Sequence, residues 1–338
     1  MPSSSLVRRP KKSGAVATGA PARHIPLAPE IQVLDPSGKT AVAKFGRTTA
    51  KLSNLNKVLY PAAGFTKGDM ISYYVRVADA ILPHLKGRKL TRKRYPDGVD
   101  KLFFFEKNCP AYHPDWVATS RVDSSKRENG LHYCVADNKA TLAWLANLAA
   151  IEFHTLLSKG DDVTRPTYMV FDLDPGAPAN ILDCIRVGQR LRGMMKGLGL
   201  ECFPKTSGGK GLHFYVPLNT PCTFDQTKSF AHTLALAFEN DDPGHIVSSM
   251  KKDLRTNKVL IDWSQNDEHK TTVCVYSLRA RVRPTVSTPV TWAEVEAALK
   301  ANDPDRLIFE AGDVIERVRK LGDLFEPVLT LKQRLPAG

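Results

Sequence analysis

YMVFDLDPG, residues 168–176, decides how the rest of the chain is read. An apolar run of strand character enters Asp172 and Asp174 and is cut off by Pro175-Gly176. Residues two apart on a strand share a face, with Cα atoms roughly 6.5 Å apart, so the two carboxylates point the same way. Neighbouring like charges repel, and a divalent cation with oxygen ligands is the usual reason to hold two acids at a strand end. A strand that finishes in a solvated acidic turn has the same letters, because Asp, Pro and Gly are ordinary turn residues. What stands around the motif has to separate the two readings.

The 338 residues suffice for one large domain or two modest ones, and a 42% hydrophobic content fits a soluble globular protein. The net charge of +13 points to a polyanionic partner, most simply nucleic acid. A basic tail does not account for it, since residues 1–30 hold five Lys/Arg and one Glu and the remainder still carries +9. Six cysteines, at 109, 134, 184, 202, 222 and 274, form no CxxC pair and read as reduced thiols in a cytoplasmic protein. Cys109 with His113, and His132 with Cys134, lack the usual zinc-site spacing.

Residues 1 to about 28 read as a disordered basic tail with neither signal peptide nor membrane span. Ile31 to Leu34 and Thr40 to Phe45, separated by Asp35-Pro36-Ser37-Gly38, make a hairpin signal. Helical spacing predicts helices over 69–85 with Asp69 as cap, over 139–157, over 180–198 stopped at Gly199, and over 229–238. Thr291 and Glu294 form a capping box for a further helix, and another over 313–321 ends at Gly322. Strands are expected at 89–95, 101–106, 168–173, 211–217, 258–262 and 272–279. Without strict βαβ alternation the fold class is α+β with largely antiparallel sheets. The domain reading is an extension over 1–45, a catalytic domain over 46–330 and a tail over 331–338.

Other stretches bear on chemistry. KTSGGKGLHFYVPL, residues 205–218, sets a Ser-Gly-Gly-Lys-Gly turn before a strand, with backbone N–H groups, the Ser207 hydroxyl and the Lys210 ammonium suited to a phosphate chain. It is not a Walker A loop, because the first glycine is missing and Gly211 follows the lysine. On the strand, Leu212, Phe214 and Val216 share one face and His213 and Tyr215 the other. In KVLIDWSQN, Asp262 again ends an apolar run. Three strand-end carboxylates can hold two Mg²⁺ or Mn²⁺ ions for in-line phosphoryl displacement. In LKGRKLTRKRYP, Lys93 faces opposite to Arg92 and Arg94, on a strand that reads equally as a solvated edge guarded by charge. SLRARVRP places Arg279, Arg281 and Arg283 along one face. In LFFFEKN, Phe103 and Phe105 face one way and Phe104 the other, for core packing or for stacking on bases.

VFDLDPG, TSGGKGLHFYVPL, IDWSQN, TTVCVYSLRAR, RKRYPDGVD and FFEKN together resemble the polymerase domain of bacterial ligase D and its stand-alone relatives, primase-polymerases of the archaeo-eukaryotic primase superfamily. The resemblance runs from about residue 46 to about 330. It implies an RRM-like module and a second α/β unit enclosing the active cleft. It also implies a template-dependent nucleotidyltransferase using Mn²⁺ or Mg²⁺ with NTP or dNTP substrates, preferring ribonucleotides, that fills short gaps and extends ends in DNA repair. By motif position Asp172, Asp174 and Asp262 resemble the metal-binding triad. Lys93, Ser207, Lys210, His213 and Arg279 resemble the grip on the triphosphate, and His154 a nucleotide-contacting histidine. Phe104 and Phe105 fall where the family stacks on template bases, and Arg255 near the metals and primer end. Lys57 and Lys67 match lysines that bind the 5′-phosphate downstream of a gap.

The partners so implied are gapped, nicked or primer-template DNA with a 5′-phosphate, and nucleoside triphosphates, with no membrane. The ligase and phosphoesterase domains of ligase D are not found in this chain, nor is a KxDG motif, so a separate DNA ligase is expected to seal the product. A non-catalytic DNA-end or gap-binding module is the alternative function. A metal-dependent nuclease is a third reading, in which the triphosphate-gripping Ser207 and Lys210 have no obvious purpose.

Overall fold

In the computed structural model, which describes residues 7–8, 21–124, 127–160 and 162–336, the chain divides into two units. Unit 1 takes Met1–Thr155, Tyr276–Val286 and Glu310–Gly322; unit 2 takes Leu156–Val275, Ser287–Phe309 and Asp323–Gly338.

Unit 1 begins with β1 (Val7–Arg8), then β2 (Ile31–Val33), β3 (Thr40–Phe45) and β4 (Thr48–Ser53). The hairpin expected at 31–45 forms as β2 and β3, and β4 extends it into a three-stranded antiparallel sheet. A boundary at residue 45 therefore cuts through a sheet. The disordered tail expected over 1–28 lies outside the described residues except for two pieces. Val7–Arg8 pairs with Phe103–Phe104. In the second piece Ile25 is 2% exposed, its N–H donates to Asp69 at 2.7 Å, and the Ala28 N–H donates to Ser72 at 3.2 Å.

After β5 (Val58–Tyr60) and β6 (Phe65–Thr66), the helix expected over 69–85 is two helices, α1 (Lys67–Arg76) and α2 (Ala78–Leu85). They break at Val77, whose ψ of 8° departs from helical geometry while the apolar spacing continues through it. Asp69 is not the cap: Thr66 is, and Asp69 closes a capping box from the third position. Strands β7 (Leu90–Arg94) and β8 (Phe103–Glu106) precede the β9 (Thr119–Ser124) and β10 (Arg127–Cys134) hairpin. The helix expected over 139–157 is α3 (Lys139–Asn147) followed by β11 (Ala150–Thr155). Ala149, at φ +58°, makes the turn between them. A run this apolar is buried on every side, and periodicity does not separate strand from helix there.

Strand β7 pairs antiparallel with both β8 and β11, so it is interior, not a charged edge. Arg92 is 0% exposed, and its guanidinium reaches Asn108 O at 2.6 Å and Glu106 at 3.0 Å. Cys109 and Cys134 form a disulfide, which corrects the expectation of six reduced thiols. The neighbouring bridge between Asn108 and Tyr133 helps bring the Cα atoms of the two cysteines to 4.9 Å, a proximity that a spacing of 25 residues hides. Unit 1 also holds the helix Ala311–Leu321.

In unit 2 the sheet order is β13–β14–β12–β16–β15, from β12 (Tyr168–Pro175), β13 (Phe203–Thr206), β14 (Leu212–Pro217), β15 (Ile246–Val247) and β16 (Val259–Asp262). All pairings are antiparallel except β15 with β16. One face of β12 and β14 sends Met169, Phe171, Leu173, Leu212, Phe214 and Val216 into a core with α4 (Ile181–Gly197) and α5 (Phe224–Asp241). Helix α4 approaches closely because residue 188 is glycine: a Cβ there would lie 2.1 Å from the Phe214 ring. The capping box predicted for Thr291 and Glu294 heads α6 (Trp292–Ala301). The strand expected over 272–279 extends only across Thr272–Val273, and Tyr276, at φ +62°, turns the backbone out of extended geometry. The expected arginine row on one strand face therefore does not form.

Candidate active site

In unit 2 the register of the central strand assembles the acids. Asp172 on β12 lies directly opposite Asp262 on β16 and opposite His213 on β14. The His213 Nε2 is 3.2 Å from the Asp172 carboxylate. Asp174, two residues along, shares the face of Asp172 while Leu173 points into the core. Burial, followed by the charges of Asp172 and Asp262, pushes the Asp174 carboxyl up to about 6, against the opposing pull of Lys210 and Arg255. The Asp262 carboxylate accepts from Ser264 N at 3.0 Å, Ser264 Oγ at 2.5 Å and Gln265 Nε2 at 3.1 Å. Among the described residues no three His, Cys, Asp or Glu side chains converge closely enough to hold a metal ion. The donor set nonetheless fits one, because the carboxylates are crowded enough for one of them to resist ionisation, and a divalent cation relieves that repulsion.

The glycine-lysine turn is pressed against the same strand. A Cβ at residue 211 would fall 2.2 Å from Leu173 O and 3.4 Å from the Asp174 carboxylate, so only glycine lets the turn approach. Lys210 Nζ donates to Pro175 O, beside the acids. Two of the backbone N–H groups expected to suit a phosphate chain are engaged within the turn: the Gly209 and Gly211 N–H groups both donate to Ser207 Oγ at 3.2 Å. The turn is thereby fastened by its own hydroxyl, and Ser207 is 7% exposed. A Cβ at Gly176 would lie 1.7 Å from Arg255 O, so the 253–257 segment seats on the end of β12 and brings its guanidinium toward Asp174.

Unit 1 gathers a second cluster around a residue that the sequence reading passed over. Glu152 on β11 is 1% exposed and faces Lys93 across the ladder to β7. Its carboxylate reaches Lys93 Nζ at 3.4 Å, His154 Nε2 at 2.8 Å and Arg279 Nε at 3.4 Å, and accepts from the Ala280 N–H at 3.0 Å. Although burial opposes its charge, Arg279 first, then the hydrogen bond from His154 and the charge of Lys93, hold its carboxyl well below the usual carboxylate range. Lys93, His154 and Arg279 are thus brought together on one acid. The signal in the sequence was an acid inside the apolar run AAIEFH, two residues before His154.

The phenylalanines alternate as expected. Lys93 Nζ sits 4.4 Å from the Phe103 ring and 5.7 Å from that of Phe105, while Arg94 lies 5.1 Å from Phe104. Phe104 and Phe105 are therefore on opposite faces, and Phe105, 38% exposed, is the more open. Lys67 is 6% exposed, and its pKa is lowered to about 8 by burial, Lys57 and Arg94. Lys57 carries an exposed pair with Asp97 at 2.7 Å. Arg94 is the further cation that sequence reasoning left unassigned.

A family model described as LigD, primase-polymerase domain, matches residues 66–325. The multifunctional non-homologous end joining DNA repair protein LigD of Mycobacterium tuberculosis is 40% identical over 283 residues, 81% of this chain and 36% of that protein. The bifunctional non-homologous end joining protein LigD of Bacillus subtilis is 33% identical over 277 residues, 80% of this chain and 43% of its own. The chain thus spans less than half the length of these relatives. The solved polymerase domain from Mycobacterium tuberculosis ligase D in complex with DNA superposes with a TM-score of 0.76 at 39% identity, covering 83% of this chain and 98% of that one. By the extent of these matches, the chain belongs to the family of ligase D primase-polymerase domains.

Proposed function

We propose that this chain is a template-dependent nucleotidyltransferase that fills short gaps or extends ends during DNA repair by non-homologous end joining, preferring ribonucleotides and recognising a downstream 5′-phosphate. The observation that carries it is the crowded acid set of Asp172, Asp174 and Asp262 beside the glycine-lysine turn. Asp172, Asp174 and Asp262 would hold Mn²⁺ or Mg²⁺, which when bound supplies Lewis acidity toward a primer hydroxyl and the triphosphate.

The protein's own groups have separable tasks. Lys210 and Ser207 present an ammonium and a fixed loop to phosphate oxygens, and His213 stays oriented by Asp172. Lys93 and Arg279 supply positive charge toward the triphosphate, with His154 contacting the nucleotide beside them. Arg255 serves the primer end, and Phe105, with Phe104 on the other face, offers rings to template bases. Lys57 and Lys67 hold the 5′-phosphate. A crowded, partly buried lysine gains most from an arriving dianion, and the lowered pKa of Lys67 supports that role. No helix among the described residues is long and apolar enough to cross a membrane.

The test is incorporation on a gapped duplex with a 5′-phosphate, with Mn²⁺, offering NTPs and dNTPs separately to wild type and Asp172→Ala/Asp174→Ala. Incorporation by wild type alone, stronger with NTPs, is expected. Gap binding without incorporation by either protein would replace this reading with a non-catalytic end-binding module.

A further inference from the structure

A pocket of about 390 Å³ opens in unit 1 between two turns, lined by Ser37, Lys39, Asn54, Asn56 and Lys57. Its five residues carry a hydroxyl, two ammonium groups and two carboxamides, and most of the surface they expose to the cavity is carbon. All five residues precede the 66–325 stretch matched by the family, and Ser37 and Lys39 lie in the turn that joins β2 to β3 of the N-terminal sheet.

The two turns are built onto one another. Asn56 Nδ2 donates to Ser37 O at 2.8 Å, the Leu55 N–H to Gly38 O at 2.9 Å, and the Asn54 N–H to Lys39 O at 3.0 Å. Gly38 has φ +67°, and a Cβ there would meet the Asn56 carboxamide at 2.9 Å, so glycine is required twice over. Asp35 is folded back into its own turn, accepting from Ser37 Oγ, Thr40 N and Thr40 Oγ. Those donors turn the carboxylate into its own loop and stabilise it in its ionised form. The remaining nearby acid, Asp97, pairs with Lys57, but with 41% and 72% of the two side chains exposed that bond exchanges readily.

We infer that this pocket binds a backbone phosphodiester of the downstream DNA strand, next to the terminal phosphate at Lys57 and Lys67, with the Ser37–Lys39 turn as its outer wall. The inference rests on the 5′-phosphate reading of those two lysines and adds the N-terminal sheet to the DNA-binding surface. Ammonium and carboxamide donors around an open cavity suit a single negative charge held by hydrogen bonds. The shared Lys57 makes the two phosphate positions contiguous.

The experiment measures binding to a gapped duplex in which one internal phosphodiester near the 5′ end of the downstream strand is replaced by a neutral methylphosphonate, scanning the first three linkages. Lys39→Ala and Lys67→Ala are compared with wild type across a salt series. Lys39→Ala should weaken binding roughly fivefold and reduce the salt slope by about one. It should also be insensitive to the one methylphosphonate position that weakens wild type. Preference for a 5′-phosphate over a 5′-hydroxyl should survive in Lys39→Ala and be lost in Lys67→Ala. If Lys39→Ala matches wild type in affinity, slope and methylphosphonate response while Lys67→Ala loses the preference, the pocket is overturned and the 5′-phosphate reading stands. If Lys67→Ala also keeps the preference, both fall. Lys39 is exposed, so its substitution leaves the fold intact, and a melting curve checks this.

Discussion

Replacing Asp174 by Asn should stabilise the metal-free protein while abolishing incorporation. A carboxyl lifted from 3.8 to about 6 is one whose charged form the fold opposes by about 3 kcal/mol. Burial, Asp172 and Asp262 supply the opposition, and Lys210 and Arg255 only partly offset it. The sign follows from proton counts. Between pH 3.8 and about 6 the unfolded chain has released the proton and the folded one has kept it, so stability falls as pH rises through that window and stays lower above it. Asparagine carries no such penalty. In the presence of a chelator the variant should equal wild type below about pH 4, gain progressively to pH 6, and then hold a constant advantage of up to about 3 kcal/mol. If unit 2 melts as one body, that is an upward shift of roughly 6–12 °C. Thermal melts from pH 4 to 8 with EDTA measure it. Adding Mn²⁺ should raise the melting point of wild type and leave the variant nearly unmoved, reversing the order. A variant less stable than wild type at pH 7 under chelation would refute the reasoning, because it would mean that Lys210 and Arg255 already satisfy the carboxylate.

Glu152→Gln leaves Lys93 and Arg279 without their shared counter-charge and should lower stability by about 3 kcal/mol. Steady-state kinetics should show KM for the nucleotide raised at least about tenfold with gapped-DNA affinity unchanged; an unaltered KM would separate the cluster from nucleotide binding. Lys67 loses its proton near pH 8 in the free protein. The ratio of affinities for 5′-phosphate and 5′-hydroxyl gaps should therefore fall between pH 7 and 9, and a ratio independent of pH would remove Lys67 from the phosphate site.

The acid-bearing strand was legible because its alternation is written plainly: Phe171 and Leu173 go to the core, so Asp172 and Asp174 cannot. His213 and the phenylalanine faces followed from the same period of two. Legibility failed where burial was complete. Across 139–157 thirteen of nineteen residues are apolar, and the backbone turn at Ala149 divides helix from strand. Glu152 escaped notice for the same cause, since its role depends on Lys93 and Arg279, which are 59 and 127 positions away in the chain. The disulfide and the Ser207 hydroxyl bonds are also products of register and turn geometry, to which local propensity is blind. Lys57 and Lys67 looked like surface charge, and it was the resemblance that singled them out.

Unit 1 cannot be made by cutting the chain after Thr155, and the reason is local chemistry. The buried Tyr73 hydroxyl donates to Tyr276 O at 2.8 Å, the Leu278 N–H donates to the Tyr74 hydroxyl at 3.0 Å, and the Phe153 N–H donates to Ser277 Oγ at 2.9 Å. Each partner comes from Tyr276–Val286, and Tyr276 is itself 2% exposed. Removing that segment takes partners from the Tyr73 hydroxyl and the Phe153 N–H, at about 1–3 kcal/mol apiece, while the Tyr74 hydroxyl keeps its bond to Ile151 O, and it leaves a cavity the size of a tyrosine at about 3–5 kcal/mol more. The sum approaches the whole stability of a typical domain, about 5–15 kcal/mol. It also strips Arg279 from Glu152. A fragment ending at residue 155 should therefore be unfolded or aggregated by circular dichroism and exclusion chromatography, despite holding Lys57 and Lys67, the lysines proposed to bind the 5′-phosphate. A monomeric, cooperatively melting fragment that still prefers a 5′-phosphate would show that the 276–286 segment is an accessory to unit 1 and not part of its core.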